Sequence, residues 1–502
     1  MSNKYERLSF DSIDSTDSID KLASDDVEGT NHTNNNSTLL PPSSSGHTRS
    51  ISNLSEFDLD DEDYEPTAGL LPEEQNRGAL SSFGANEALM AIATESGKSD
   101  MKMAFMNMAN SIIGAGIIGQ PYAVRQSGLI GGIILLLVLT VVIDWTIRLM
   151  VVNAKISGTD TFQATVSKCY GKVGLITISV AQGAFAFGGS MAFCVIIGDT
   201  IPHVINALFP SFKDIPVISF LIKRNSIIVI FTTFISYPLA LNRDISKLAK
   251  ASALALVSMV VIVLTVVIRG PSLNADFKGS FSLPLLTINS GIFQGISVIS
   301  FAFVCHHNSL LIYDSLKKPT MDRFKTVTHW STGVSMVACV LMGVGGFVVF
   351  RDKTKGNVLN NFPPNDIMAN VARFCFGFNM LTTLPLEIFV CREVLLNYFY
   401  PEAEFSRKRH IITTTVLVFT AMSVSLFTCN LGAILELVGA SSACVMAYIL
   451  PPMCFLKLSG KGLREKIPSY SCIAFGVLVM TLSTVQTIIK LMTETEEDHC
   501  TA

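Results

Sequence analysis

The chain predicts an all-α polytopic membrane protein of about eleven transmembrane helices, and three observations carry that prediction. Of the 502 residues, 49% are hydrophobic and only 15% are charged, with a mean hydropathy of +0.46, too apolar for a soluble protein of this length. From residue 98 onward there are eleven apolar stretches, each long enough for the ~20 helical residues that cross a bilayer. In the first stretch, the run Asn110-Ser111-Ile112-Ile113-Gly114-Ala115-Gly116-Ile117-Ile118-Gly119-Gln120-Pro121-Tyr122 puts three glycines, a proline and Asn110 within thirteen residues. That mixture opposes a continuous helix.

The amino-terminal part is a different object. Residues 1–97 hold 19 acidic against 5 basic residues, a net −14, which leaves residues 98–502 at net +11. The segment is rich in Ser, Asn and Asp and lacks a basic start followed by an apolar core, so the expectation is a disordered cytosolic tail without a cleavable signal. Within Arg49 to Asp58 are serines spaced for kinases, although serine-rich tails produce such matches by chance. The sequons at Asn31, Asn35, Asn36 and Asn53 all lie in this tail, where a cytosolic location leaves them unused.

The eleven stretches are 103–125, 129–152, 173–208, 224–242, 247–269, 287–315, 326–350, 366–399, 409–428, 431–457 and 467–492. An odd number of spans separates the termini, so residues 493–502 form a short tail on the lumenal or outer side. With the amino terminus inside, the inner connections hold 21 Lys/Arg and the outer ones 10, with Arg373 at a membrane edge. The positive-inside rule therefore places the amino terminus in the cytosol. Between the second and third stretches, Phe162, Val166 and Cys169 oppose Lys168, the pattern of a short helix in the interface or of a plain linker. The third and eighth stretches exceed a bilayer's thickness, so tilt or protrusion is expected.

Glycine in a helix interior costs about 1 kcal/mol and proline about 3, and irregular backbone at membrane depth persists where it lines a cavity or is buried in protein. The first helix is therefore expected to be interrupted. The sixth stretch passes abruptly from Ile299-Ser300-Phe301-Ala302-Phe303-Val304 to Cys305-His306-His307-Asn308-Ser309, the signature of a second interruption. Breaks in the first and sixth of eleven helices are what a 5+5 inverted repeat plus one helix produces. Free amides and carbonyls at such breaks suit a carboxylate and a cation.

Asn110 and Ser111, at the end of the first half-helix, are the best polar ligands. Gly114 and Gly116 read either as a site or as close-packing positions between helices; the company of a third glycine, a proline and Asn110 favours the site. His306 and His307 are titratable at membrane depth, which suggests proton coupling, or else they bond to a neighbouring helix or mark a span's end. Asn379, Thr382, Thr383, Pro385 and Glu387 supply polarity in the eighth stretch, where threonine hydroxyls suit a small hard cation or bond back to their own helix. Phe301 and Phe303 wall a pocket or simply pack. Asp144, Asp199 and Glu436 have no spacing that assigns them a role.

Eleven cysteines are scattered singly, with no CxxC pair, so neither a disulfide framework nor a zinc site is expected. With no HExxH, GxSxG or GxxxxGK[ST] motif, an enzyme is the weaker class. A transporter and a sensor with a transporter-like site remain. No cofactor and no nucleic-acid partner is expected.

The run Asn110 to Tyr122, the segment YPLALNRDISKLAK from Tyr237 to Lys250, the segment SFAFVCHHNSLLIYDSL from Ser300 to Leu316, and Pro385 to Glu393 together resemble the amino acid/auxin permease family. Within it they are similar to fungal vacuolar amino acid transporters and to sodium-coupled neutral amino acid transporters. The resemblance covers roughly residues 98–492. It implies a LeuT-like fold with substrate between the broken first and sixth helices. The substrate carboxylate would then lie on the Gly114 and Gly116 amides, and its amino group on the backbone from Phe301 through Ala302 and Phe303 to Cys305. It also implies a cation site at Asn110 with Thr382 or Thr383, filled by Na+ in the sodium-coupled relatives, whereas the vacuolar ones use H+. The expected location is a vacuolar or lysosomal membrane, with the plasma membrane second.

Overall fold

In the computed structural model the described residues are 100–242, 252–401, 403–460 and 462–493. Most of the expected acidic tail, the start of the fifth stretch and the end of the chain lie outside them, as does the Arg243 to Lys250 part of the motif noted above.

The architecture is helical. The first stretch forms α1 (Met101–Ile113), a 3-10 segment (Ala115–Gly119) and α2 (Gln120–Ser127). There follow α3 (Leu129–Ser157) and α4 (Phe162–Leu208), then a short helix Pro216–Ile222 that bends by 71° into α5 (Arg224–Ala240). Next come α6 (Ser252–Leu264), α7 (Ile292–Phe303), α8 (His306–Ser315), α9 (Met321–Phe350) and α10 (Ile367–Phe399). The chain closes with α11 (Arg407–Phe427), α12 (Leu431–Leu458) and α13 (Leu463–Thr493). Among the described residues nine helices are long and apolar enough to cross a membrane, or ten if the bent pair is one span. The first stretch is not among them because its break leaves no helical piece longer than the 13 residues of α1. The fourth stretch gains helical residues 216–222, which the sequence reading had left outside.

Residues 162–170 are helical and continue into the third stretch across a kink at Gly171, whose φ of +58° is a conformation glycine tolerates. Phe162, Val166 and Cys169 are buried there, so the side expected to be apolar packs on protein. Outward-facing residues such as Val141, Val173, Phe234 and Trp330 are apolar and exposed, as suits a surface that meets lipid. The longest pairing runs antiparallel, α10 along α4, while α9 packs on α1, α2 and α3. α7 lies against α2, α12 and α13. This arrangement sets the two interrupted segments side by side in the core.

Several intramembrane charges are paired, within a helix or between helices. Asp144 of α3 takes Arg148 at 2.9 Å and His329 Nδ1 of α9 at 2.9 Å. Asp199 of α4 takes Arg224 Nε at 3.2 Å and Asn360 Nδ2 at 3.0 Å. The fully buried Arg373 donates to the carbonyls of Leu359, Phe362 and Pro363 and to Asn370 Oδ1, which folds the 358–363 segment onto α10. Nine described cysteines are free thiols and Cys429 is disulfide-bonded, a bond the scattered spacing gave no reason to expect.

Candidate functional site

The two interruptions are real and they meet. α1 ends where Gly114 adopts φ 13° and ψ −142°, outside helical backbone, and Pro121 falls in the first turn of α2, the place in a helix where a missing amide costs least. Gln120 Nε2 turns back to donate to Gly116 O at 3.0 Å, which satisfies one carbonyl that the break leaves free. In the sixth stretch α7 ends at Phe303. Val304 (φ −74°, ψ 105°) and Cys305 (φ −119°, ψ 16°) carry the chain into α8.

The breaks touch at Gly116 and Ala302. A Cβ on Gly116 would stand 2.3 Å from Ala302 Cβ and 2.4 Å from its Cα, so only glycine permits this crossing. Close packing therefore acts at Gly116 whatever else that residue does. Gly114 differs, since the nearest atoms to a Cβ there are the Asn110 and Ser111 carbonyl oxygens at 3.5 and 3.7 Å. Its amide already donates to Asn110 O at 3.0 Å. In this conformation that amide is thus engaged, and a carboxylate at Gly114 would have to compete with it.

Ser111 and Asn308 join the two segments directly, with Asn308 Nδ2 donating to Ser111 Oγ at 3.3 Å. Phe301 lies against Phe185 of α4, ring centroids 5.3 Å apart, and Phe185 against His307 at 5.6 Å. Three rings from three helical segments thus line the side of the α7–α8 break. Phe303 and Cys305 are buried, and the Cys305 thiol is 3.7 Å from Ser309 Oγ. His306 Nε2 is 3.1 Å from Thr146 Oγ1 of α3, so this histidine does bond to a neighbouring helix. The Nδ1 atoms of His306 and His307 are buried without a hydrogen-bond partner.

In α10, Thr382 and Thr383 both donate to Asn379 O, at 2.9 and 2.8 Å. Each hydroxyl keeps acceptor capacity, but no hydrogen bond among the described residues links either one to Asn110. Nor do three His, Cys, Asp or Glu side chains gather there as metal ligands.

Sequence reasoning assigned no role to the cluster at the opposite face, the face toward which α2 points. Glu436 of α12 is fully buried and accepts from Tyr122 of α2 at 2.7 Å, Gln294 of α7 at 3.3 Å and Thr487 of α13 at 3.1 Å. Lys490 of α13 lies 3.3 Å from the same carboxylate and also reaches the Tyr122 hydroxyl. A glutamate at membrane depth was the available signal, and its partners were not identifiable from spacing.

Two broken helices crossing at the core of a helical membrane protein are the architecture of a membrane transporter. The comparisons agree. Residues 97–489 match the model of the transmembrane amino acid transporter protein family, and the chain belongs to that family. It is 49% identical over 415 residues to vacuolar amino acid transporter 2 of Saccharomyces cerevisiae, covering 80% of this chain and 86% of that one. It is 36% identical over 398 residues to the putative sodium-coupled neutral amino acid transporter 11 of Danio rerio, covering 78% and 87%. Among solved structures, the crystal structure of MhsT in complex with L-phenylalanine superposes with a TM-score of 0.50 at 14% identity, over 77% of this chain and 99% of that one. That likeness shows the LeuT-like fold.

Proposed function

We propose that the protein is a secondary active amino acid transporter that works by alternating access, coupled to protons, in a vacuolar or lysosomal membrane with its amino terminus in the cytosol. The observation that carries this reading is the crossing of the two interrupted helices at Gly116 and Ala302, bridged by Ser111 and Asn308. Such a crossing offers backbone groups to both ends of a zwitterion. The carboxylate belongs at the Gly114–Gly116 turn and the amino group near the carbonyls from Phe301 to Cys305. Phe185, Phe301 and His307 face the side chain. The unpartnered Nδ1 atoms of His306 and His307 are in keeping with a site that binds or passes protons. Similarity to the yeast vacuolar transporter supports the vacuolar location and the amino acid cargo.

The sodium reading rests on the similarity to the sodium-coupled relatives and on Asn110, Thr382 and Thr383. The amino-terminal tail is available to kinases or regulatory proteins. The test is uptake of a panel of radiolabelled amino acids into proteoliposomes, with pH and sodium gradients imposed separately. Selective flux that follows the pH gradient supports the reading. Flux that follows only sodium replaces the ion, and saturable binding without flux makes the protein a sensor.

A further inference from the structure

Glu387 of α10, like Asp314 near the end of α8, stands apart from the paired acids of the core. Asp144, Asp199, Asp366 and Glu436 each hold a basic partner within 2.6 to 3.3 Å. Glu387 has neither an ion pair nor a hydrogen bond among the described residues. It is half-buried, and its carboxyl group lies on the surface of Gly189 in α4, where a Cβ would be 3.7 Å from Glu387 Cδ and 3.8 Å from Oε2. The adjacent Gly188 meets Val438 of α12 so closely that a Cβ would come within 2.2 Å of it. Gly188 thus lets α12 approach closely, while Gly189 on the neighbouring position is in van der Waals reach of the carboxyl group.

Among the described residues, the helices that pack on α10 offer Glu387 no ion pair or hydrogen bond. On α4, Cys194 faces Thr232 and Asp199 is paired with Arg224. On α5, Tyr237 bonds Thr415, and beyond α6 Arg269 is paired with Asp366. On α11, His410 bonds Leu241 O. Within α10, Cys391 donates to Gly183 O, and Arg392 is engaged by Ala240 O, Thr414 and Glu393. Partial burial without a cation beside it disfavours the carboxylate form, a cost removed by taking up a proton.

Two further features place this group near the candidate substrate site and in the α4–α10 groove. Phe185, whose ring lies tilted against those of Phe301 and His307, is one helical turn from Gly189 on the same face of α4. A cavity of about 370 Å³ opens farther along the same α4–α10 groove, lined by Lys168, Leu175, Ser179, Val394, Asn397 and Tyr398. Val394 is seven residues beyond Glu387, ~10 Å along the helix. Along α4 the cavity lining ends at Ser179, Phe185 follows and Gly189 lies one turn beyond it, so the carboxyl group sits past Phe185 as seen from the cavity, in the same α4–α10 groove.

We infer that Glu387 is the side chain that carries the coupling proton, held neutral against Gly189 and discharged when the α4–α10 groove admits water. This rests on the proton-coupled reading above. The carboxyl group takes one proton from water on the acidic side and returns it to water on the other, while the amino acid itself binds at the helix breaks.

The test compares wild type with Glu387→Gln, which fixes the neutral form, in proteoliposomes supplied with the amino acid that wild type selects from the panel. A gradient of about one pH unit sustains about a tenfold accumulation for one proton per substrate. The expected result is loss of that accumulation with exchange of labelled for unlabelled amino acid kept within about twofold. Glu387→Gln that accumulates like wild type overturns the assignment. So does loss of exchange together with accumulation in a monodisperse variant, which makes Glu387 a substrate-binding or structural group. Wild type that ignores the pH gradient removes the proton-coupled reading and this proposal with it. A measurement on wild type alone guards against a variant that does not fold. An apolar carbodiimide, which reacts with protonated carboxyl groups, should label Glu387 in preference to the paired Asp144, Asp199 and Glu436, and less so as pH rises. Absence of label at Glu387 overturns the proposal.

Discussion

The Tyr122 hydroxyl donates a 2.7 Å hydrogen bond to Glu436 Oε1 across 314 residues of sequence, and it fastens the second half of the broken first helix to α12. Lys490 joins them, its ammonium 4.9 Å from the Tyr122 ring centroid and 3.3 Å from Glu436. Since Gln294 of α7 and Thr487 of α13 reach the same carboxylate, one buried charge holds four segments. Under the alternating access proposed above, α2 and α7 would part from α12 at this face, and the cluster would act as its clasp. Tyr122→Phe, which removes one hydrogen bond, should lower stability by about 1–2 kcal/mol. Glu436→Ala, which strands Lys490, should cost roughly 3–5 kcal/mol. Thermal unfolding in detergent ranks the two. Deuterium uptake should rise at 120–127 and 292–297 in Tyr122→Phe and stay unchanged in α10; equal uptake in all segments would argue against a clasp.

Gly114 and Gly116 should separate by mutation, because the structure gives them different surroundings. Gly116→Ala puts a methyl group on the backbone of Ala302, so the crossing must open; the expected outcome is loss of uptake with a lowered unfolding temperature. Gly114→Val has room near its Cβ but fills the turn proposed for the substrate carboxylate, so it should reach the membrane and be folded without transporting. Normal flux through Gly114→Val would remove that turn from the site.

The difference between those two glycines also shows what was legible in the chain. Local grammar exposed the breaks. Three glycines and a proline mark the first one, and the step from Phe303 to His306 marks the second, because both are costs that fall on neighbouring residues. What lay hidden is non-local. Glu436 meets Tyr122, Gln294 and Lys490, and Asp199 meets Arg224 and Asn360, through helix packing that no spacing encodes. The same limit applies to Gly116, whose packing against Ala302 appears only when two distant helices cross, and to Glu387, which has no ion pair or hydrogen bond among the described residues.

Arg373, read from the sequence only as a charge at a membrane edge, proves to be a loop anchor. Its donors serve three carbonyls and the Asn370 side chain at 2.7 to 3.2 Å, and Asp366 beside it takes Arg269 at 2.6 Å. Arg373→Met keeps the volume but leaves several acceptors without donors, each costing about 1–3 kcal/mol when buried. The segment 354–366 should then become the first site of limited proteolysis, while an Arg269→Ala variant, whose guanidinium is more exposed, should change the cleavage rate less. Proteolysis that begins elsewhere in Arg373→Met would deny the anchor.

The coupling ion can be probed at Thr382 and Thr383, whose hydroxyl protons are directed at the Asn379 carbonyl. A hydroxyl bonded back to its own helix still has lone pairs for a cation, so hydrogen bonding alone does not disqualify either residue. The ion dependence decides. If sodium occupies a site at Asn110 with one of these threonines, the alanine variant of that threonine should raise the sodium concentration for half-maximal uptake by about tenfold or more, the loss of roughly 1.4 kcal/mol from one ligand. The other variant should behave as wild type, since only one register faces the first helix. If protons drive the cycle, both variants should keep their response to a pH gradient, and Thr383→Ala should show only the modest loss of stability that follows from its bonds to Asn379 O and Oδ1. A sodium response in wild type that neither substitution alters would place the cation elsewhere and detach α10 from it.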